Sequence, residues 1–470
     1  MSTLYNATTN MGFTENGALT LTTTGSAVLD LFAMGGALRS RNDEAIISMV
    51  DKAYQEDAIK TLAVLLYLRD CRGGQGEKRL FKVALKHLVK TYNLNTKALF
   101  DSVAEVGCYK DIFDILSPDE VASVISPYVK DSSDDSHNLL FKWMPSIKGA
   151  REKYAKKLAR LLGMSDKEYR KFLSAKRKNL NLVESKMCRN EWKEITYSSV
   201  PSRANLIYSS AFMKHDAERY GSYLADVKSG KTKINASVLY PYEVYTKKNS
   251  PNADALWEAL PDYTDGTNAL VVCDTSGSML GGVNSVSPIS VAVSLALYFA
   301  ERNKGIFHNE FITFSDTPKF QKIVGNSLLD RIRSIVNSDW GMSTNLQKVF
   351  KLILNSAVKF NVPKEEMPVS VYIISDMEFN SCVKGTNLDE IIDRYKEAGY
   401  DLPRIVFWNV DSRQNNVSAS KDTKGVMLVS GCSPSVFACA VDSTMTPETF
   451  MDSVIEKYKE QAKNLIEVNG

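Results

Sequence analysis

The chain has little of what most enzyme centres are built from. It carries four histidines in 470 residues, His87, His137, His215 and His308. An imidazole metal site or a catalytic dyad is therefore not expected. The seven cysteines are odd in number, scattered, and never spaced as C-x-x-C. That pattern argues for reduced thiols in a cytosol-like compartment and against structural zinc. No apolar run reaches the roughly 18–20 residues that span a bilayer. The opening residues Met1–Ser2–Thr3–Leu4–Tyr5–Asn6 lack both the charged and the apolar regions of a secretory signal. A soluble, cytoplasmic chain without a membrane partner is expected, with a monomer favoured. The glycine-rich stretch Arg69–Asp70–Cys71–Arg72–Gly73–Gly74–Gln75–Gly76 lacks Gly-Lys-Ser/Thr and follows no strand, so it reads as a structural turn rather than a nucleotide loop. Arg72 and Lys78 beside it remain available for phosphate contacts. Asp274 begins no Asp-x-Asp motif and no Ser–His–Asp order is evident. No catalytic activity is expected.

What is present is an ordinary soluble composition, 44% hydrophobic and 24% charged. The length favours two domains, with a third allowed. The net charge of +3 conceals an asymmetry, because Lys142 to His215 holds eighteen Lys/Arg against six Asp/Glu. A charge segregated in this way describes partners rather than fold.

Residues 1–25 are rich in Thr, Asn and Gly and read as an extended segment. From residue 26 to about 250, apolar positions recur at i, i+3 and i+4 in a run of helices. They include Asp43–Val50, Asp57–Leu68, Lys78–Tyr92, Thr96–Val106, Asp111–Leu116 and Asp119–Val129. Their short connections suit antiparallel stacking of the HEAT type. Proline, glycine and polar clusters mark a boundary between residues 246 and 267. Beyond it, over 266–470, strands near 269–273, 307–314, 369–375, 403–410 and 425–429 alternate with helices 288–302, 345–358, 387–398 and 447–466. Such alternation predicts a parallel, doubly wound α/β sheet.

Two of those strands end in aspartate. Leu270–Val271–Val272–Cys273 leads into Asp274–Thr275–Ser276–Gly277–Ser278, and Val369–Ser370–Val371–Tyr372–Ile373–Ile374–Ser375 leads into Asp376. Between them, Trp340–Gly341–Met342–Ser343–Thr344–Asn345 places Thr344 in a loop before a helix. Ligands of open α/β sheets sit at the carboxyl ends of the strands, and carboxylates with neutral hydroxyls suit a hard divalent cation. The plain alternative is two buried strands with Asp caps on the following helices. The set resembles the metal-ion-dependent adhesion site of von Willebrand factor type A domains. That resemblance implies Mg²⁺, or Mn²⁺ or Ca²⁺, held directly by Ser276, Ser278 and Thr344. Asp274 and Asp376 would act through waters and hydrogen bonds.

The helical half carries segments of its own: Tyr67–Lys78, Val106–Ile112, Lys142–Ser146, Lys186–Trp192 and Val200–Arg203. They resemble a family that pairs a helical amino-terminal half with a type A domain. The layout is similar to the Ro autoantigen (TROVE) proteins, whose helical repeats form a ring closed by such a domain. The resemblance implies an RNA partner, either single-stranded ends or small structured RNAs. The basic block fits this, since Lys and Arg neutralise phosphate while aromatic faces stack bases. Its candidate contacts are Lys142, Lys156, Lys157, Arg170, Lys171 and the triplet Lys176–Arg177–Lys178. Lys186, Arg189 and Arg203 complete the set. The interleaved aromatics Trp143, Tyr154, Tyr169, Phe172, Trp192, Tyr197, Tyr208 and Phe212 fit helix cores at least as well as base stacking. A second reading is an adaptor whose metal captures an acidic residue of a protein partner.

Overall fold

A computed structural model describes residues 10–130, 138–264, 268–281, 286–314, 317–336, 344–379, 387–439 and 444–467. The expected loop residues 340–343, residues 1–9 of the amino-terminal segment and residues 265–267 of the boundary lie outside them.

The first described residues form a hairpin, β1 (Met11–Phe13) against β2 (Leu19–Leu21). Helices then follow one another to residue 258. Several start where a side chain caps the first free amides. Asn42 Oδ1 accepts from Ala45 N at 2.9 Å, Asp57 Oδ1 from Lys60 N at 2.8 Å, and Asn95 Oδ1 from Ala98 N at 3.1 Å. Helix Ala58–Arg69 is the hub. Every residue from Thr61 to Arg69 is buried, which its unbroken apolar run foretells. Helices Ala27–Gly35, Asp43–Glu56, Arg79–Tyr92 and Thr96–Val106 pack around it, and so do the chain's last helices, Pro447–Ile455 and Lys459–Ile466. The closing helix expected over 447–466 is in fact two. A 3₁₀ turn at Glu456–Tyr458 separates them, and Tyr458 is turned inward to donate to Asp70 Oδ2 at 2.7 Å.

The remaining strands are β3 (Ala269–Asp274), β4 (Glu310–Phe314), β5 (Phe320–Lys322), β6 (Ser370–Ser375), β7 (Arg404–Asn409) and β8 (Val426–Ser430). They form one sheet in the order β5-β4-β3-β6-β7-β8. All neighbours are parallel except β4 and β5. The sheet is therefore mixed, not purely parallel as the alternation predicts. The extra strand is only three residues long, and at the edge it needs no two-sided apolar run.

Strand parity divides the core. Ala269, Val271 and Cys273 of β3 face the same side as Tyr372, Ile374, Val406, Trp408, Met427 and Val429, and this side merges with the interior of the helical half. Leu270, Val272, Val371, Ile373, Ile405 and Phe407 face the other side, under helices Leu346–Phe360 and Asn387–Glu397. One face of the sheet thus shares its core with the amino-terminal helices.

The glycine-rich turn is structural, as expected. A Cβ on Gly74 would collide with the Tyr67 carbonyl oxygen, so only glycine lets the chain fold back on the hub helix.

Candidate functional site

The chain leaves β3 for β4 on one side and returns as β6 on the other. The carboxyl ends of β3 and β6 therefore flank a switch in strand order, where such sheets form a crevice. Asp274 ends β3 and is fully buried. Its Oδ1 accepts from Ser276 N at 2.9 Å and its Oδ2 from Ser375 Oγ at 2.6 Å. Ser276 Oγ and Ser278 Oγ are 3.0 Å apart. Thr344 is also buried, and its Oγ1 donates to the Glu378 carbonyl at 2.7 Å. That bond ties Thr344 to the loop that begins at Asp376. Met377 in this loop has φ +66°, a conformation that costs energy for a bulky residue. Ser375 Oγ holds it by accepting from Met377 N at 3.0 Å.

Burial, and then the nearby Asp376 carboxylate, push the Asp274 carboxyl above its ordinary value. A buried carboxyl raised in this way lacks enough positive charge around it. Among the described residues, no three carboxylates, imidazoles or thiolates converge. The donors are two carboxylates and three hydroxyls, oxygen throughout, which suits a hard cation.

Three residues at the rim have no counterpart in the predicted set. Arg413 Nη2 donates to Asp376 Oδ2 at 2.7 Å and lies 3.1 Å from Glu15 Oε2, while Nη1 reaches the Ser278 carbonyl at 3.4 Å. Asn16 Nδ2 donates to the Glu378 carbonyl at 2.6 Å and to Thr344 Oγ1 at 3.4 Å. Glu15 N donates to Glu378 Oε2 at 2.7 Å. Arg413 follows the end of β7 by four residues, so the strand-edge rule pointed to its loop. Nothing in the sequence pointed to Glu15 or Asn16, which arrive from the opposite end of the chain.

A second feature lies in the helical half. A cleft of about 570 Å³ opens between helices Arg79–Tyr92, Tyr109–Ile115 and Ser202–His215. Its cations are Arg69, Lys78, Lys82, Lys110, Lys142 and Arg203, against the acids Asp111 and Glu184. Lys110 Nζ and Lys142 Nζ lie 5.9 Å and 5.4 Å from the centre of the Trp143 ring. The ring itself is exposed. Tyr208 and the exposed Ile207 also line the wall.

Of the residues predicted from the basic block, Lys142 and Arg203 reach this cleft. Arg170, Arg177, Lys178 and Arg189 line a separate groove of about 460 Å³. Arg177 spends its guanidinium on protein, donating to Phe141 O at 3.0 Å, Met144 O at 2.6 Å and Ser146 Oγ at 2.9 Å. Lys156 pairs with Glu152, Lys157 with Asp119, and Arg189 with Glu191. Lys186 donates to Glu194 O at 2.7 Å, and Arg170 Nε to Asp166 O at 3.2 Å. Lys176 lies 4.9 Å from the Phe141 ring centre, and Lys171 is exposed on helix Asp166–Asn179. Tyr169, Tyr197 and Phe212 are core residues. Trp143 and Tyr208 are the predicted aromatics that line the cleft.

Sequence comparison places the chain in a family. It belongs to the family described as a domain of unknown function, DUF2828, whose model matches residues 14–128 and 121–269. Residues 268–468 match a second such model, DUF7788. Among individual proteins it is similar to uncharacterized protein L728 of Acanthamoeba polyphaga mimivirus. The two are 28% identical over 512 residues, covering 96% of this chain and 88% of the relative. Among solved structures, the Deinococcus radiodurans Ro (RSR) protein matches with a TM-score of 0.39 and 12% identity, over 93% of this chain and all of that one. At that distance the two are not shown to share a fold. No helix among the described residues is long and apolar enough to cross a membrane.

Proposed function

We propose that the chain is a Ro-like RNA-binding protein, which holds single-stranded or small structured RNA along the basic cleft of its helical half. The supporting observation is the cleft itself: six cations and the exposed Trp143 come together there from segments up to 134 residues apart. The cations would neutralise phosphates, and Trp143 would offer its face to a base. The α/β half is proposed as a type A domain that holds Mg²⁺, Mn²⁺ or Ca²⁺ through Ser276, Ser278 and Thr344, with Asp274 and Asp376 behind them. When bound, the cation supplies the positive charge that the buried Asp274 lacks. Binding, not catalysis, is the proposed activity. The adaptor reading has less support, because the rim that an outside carboxylate would approach already carries the chain's own Glu15.

Fluorescence anisotropy with labelled oligouridine over a KCl series tests the RNA assignment. Each phosphate contact to a single strand contributes about −0.7 to the slope of log affinity against log salt. Lys110→Gln with Lys142→Gln should weaken binding and flatten the slope by about 1.4. Affinity that is independent of salt, or unchanged in the double variant, would remove the cleft from the account.

A further inference from the structure

The cleft carries a second group of cations besides the pair at Trp143. Lys110 and Lys142 flank Trp143. The exposed Lys78 lines the same cleft together with Arg69 and Arg203, two guanidinium groups that are each already held. Arg69 Nε and Nη2 donate to Asp111 Oδ2 at 2.9 Å and 2.6 Å. Arg203 Nε and Nη2 donate to the two Glu243 oxygens at 2.9 Å and 3.3 Å. These pairs fix the orientation of both guanidiniums. Arg69 is 2% exposed, yet its Nη1 has no hydrogen-bond partner. A charged donor left unsatisfied in the interior is costly. Lys78 has no carboxylate at ion-pair distance among the described residues. Its partial withdrawal from water, and then Arg203 and Arg69, push its ammonium below the ordinary lysine value. Three cations thus share this part of the cleft, and Glu243 and Asp111, each already spent on an arginine, offset their repulsion at Lys78 only in part.

We propose that this part of the cleft is a phosphate subsite, which takes a phosphomonoester dianion on the Lys78 ammonium and the free edge of Arg203, with the buried charge of Arg69 behind them. A monoester near neutral pH carries a charge of about −1.5 to −2 and three terminal oxygens. It matches several fixed donors better than an internal phosphodiester, which offers one charge and two oxygens. The ligand is either the phosphorylated end of an RNA or a free phosphate ester. The inference deepens the RNA reading where the ligand is an RNA end, and stands without it where the ligand is free.

The test uses the full chain, with inorganic phosphate in calorimetry and three oligouridines of one length in anisotropy. One carries a 5′-phosphate, one a 3′-phosphate, and one hydroxyls at both ends. At fixed ionic strength and pH 7.5, a terminal phosphate should tighten binding about tenfold, roughly 1.4 kcal/mol. Inorganic phosphate should bind and compete with it. Lys78→Gln should lose both effects and Lys78→Arg should keep them. Removing one member of a cation cluster should not unfold the chain, and circular dichroism of both variants checks that. The preference should fade as pH falls through the second phosphate ionisation, near pH 6. If RNA binds but neither end phosphate nor Lys78→Gln changes its affinity, the subsite is overturned and the RNA reading survives. If inorganic phosphate binds in a Lys78-dependent way while no oligonucleotide does, the subsite stands and the RNA reading falls. Binding of none of the probes overturns both.

Discussion

Asp274 illustrates what a single residue can and cannot disclose. Its place at the end of an apolar run marks the strand edge. The same place suggests a surface residue, yet the structure buries it completely under Ser375 and the Ser276 amide. Burial depends on what covers the edge, and the cover includes residues far away in the sequence. The sign of its pH effect follows. A carboxyl raised above its unfolded value stabilises the fold when protonated, and that contribution is lost as pH rises through the folded value. Without metal, the thermal midpoint should therefore rise for the wild type between about pH 8 and pH 5 more than for Asp274→Asn. The variant should also be at least as stable at the higher pH and should no longer bind Mn²⁺. Equal Mn²⁺ binding by both proteins in calorimetry would cancel the metal assignment. Arg413 is the second telling residue. Its guanidinium already occupies Asp376, so it competes electrostatically with any incoming cation. Arg413→Gln should tighten Mn²⁺ binding several-fold. Unchanged or weaker binding would show that the guanidinium is no rival for the site.

Among the elements, β3 and β6 were the most legible. Fully buried parallel strands are apolar on both faces, and these two read as runs of Val, Ile and Leu. The antiparallel β5 was not, because Phe320–Gln321–Lys322 is short, half-exposed and patterned like a loop. The cleft was half legible. A charge count along the chain finds Lys142 and Arg203, since both lie within the basic block. It misses Arg69, Lys82 and Lys110, which belong to earlier helices and join the block only after folding. Lys78 drew notice only through its neighbourhood to the glycine turn. Arg177 shows the opposite error of weight. It sits in the densest basic triplet, yet its guanidinium ties helix Asn138–Trp143 to helix Asp166–Asn179. Arg177→Gln should cost about 2 kcal/mol of stability through lost charged hydrogen bonds. It should weaken RNA binding mainly by loosening Trp143, whereas Lys178→Gln should leave stability unchanged. Denaturant titrations of the two variants separate these effects, and equal stability would show that the Arg177 contacts are incidental.

At the scale of the whole molecule, composition and pattern anticipated a helical half followed by an α/β half. They did not anticipate how far the halves share one interior. The final helices pack on the hub helix, and one face of the sheet continues its core. Calorimetry should therefore record a single cooperative transition, with calorimetric and van't Hoff enthalpies in agreement. Two resolved transitions would mean that the shared core couples the halves weakly. The central claim is that RNA lies in the cleft of the helical half. Ultraviolet crosslinking of oligouridine to the full chain, followed by mass spectrometry of the adducts, tests it most directly. Adducts should map to Trp143 and to Tyr208, and they should disappear with Lys110→Gln and Lys142→Gln at moderate salt. Adducts confined to residues 268–467, or unaffected by the double variant, would contradict it.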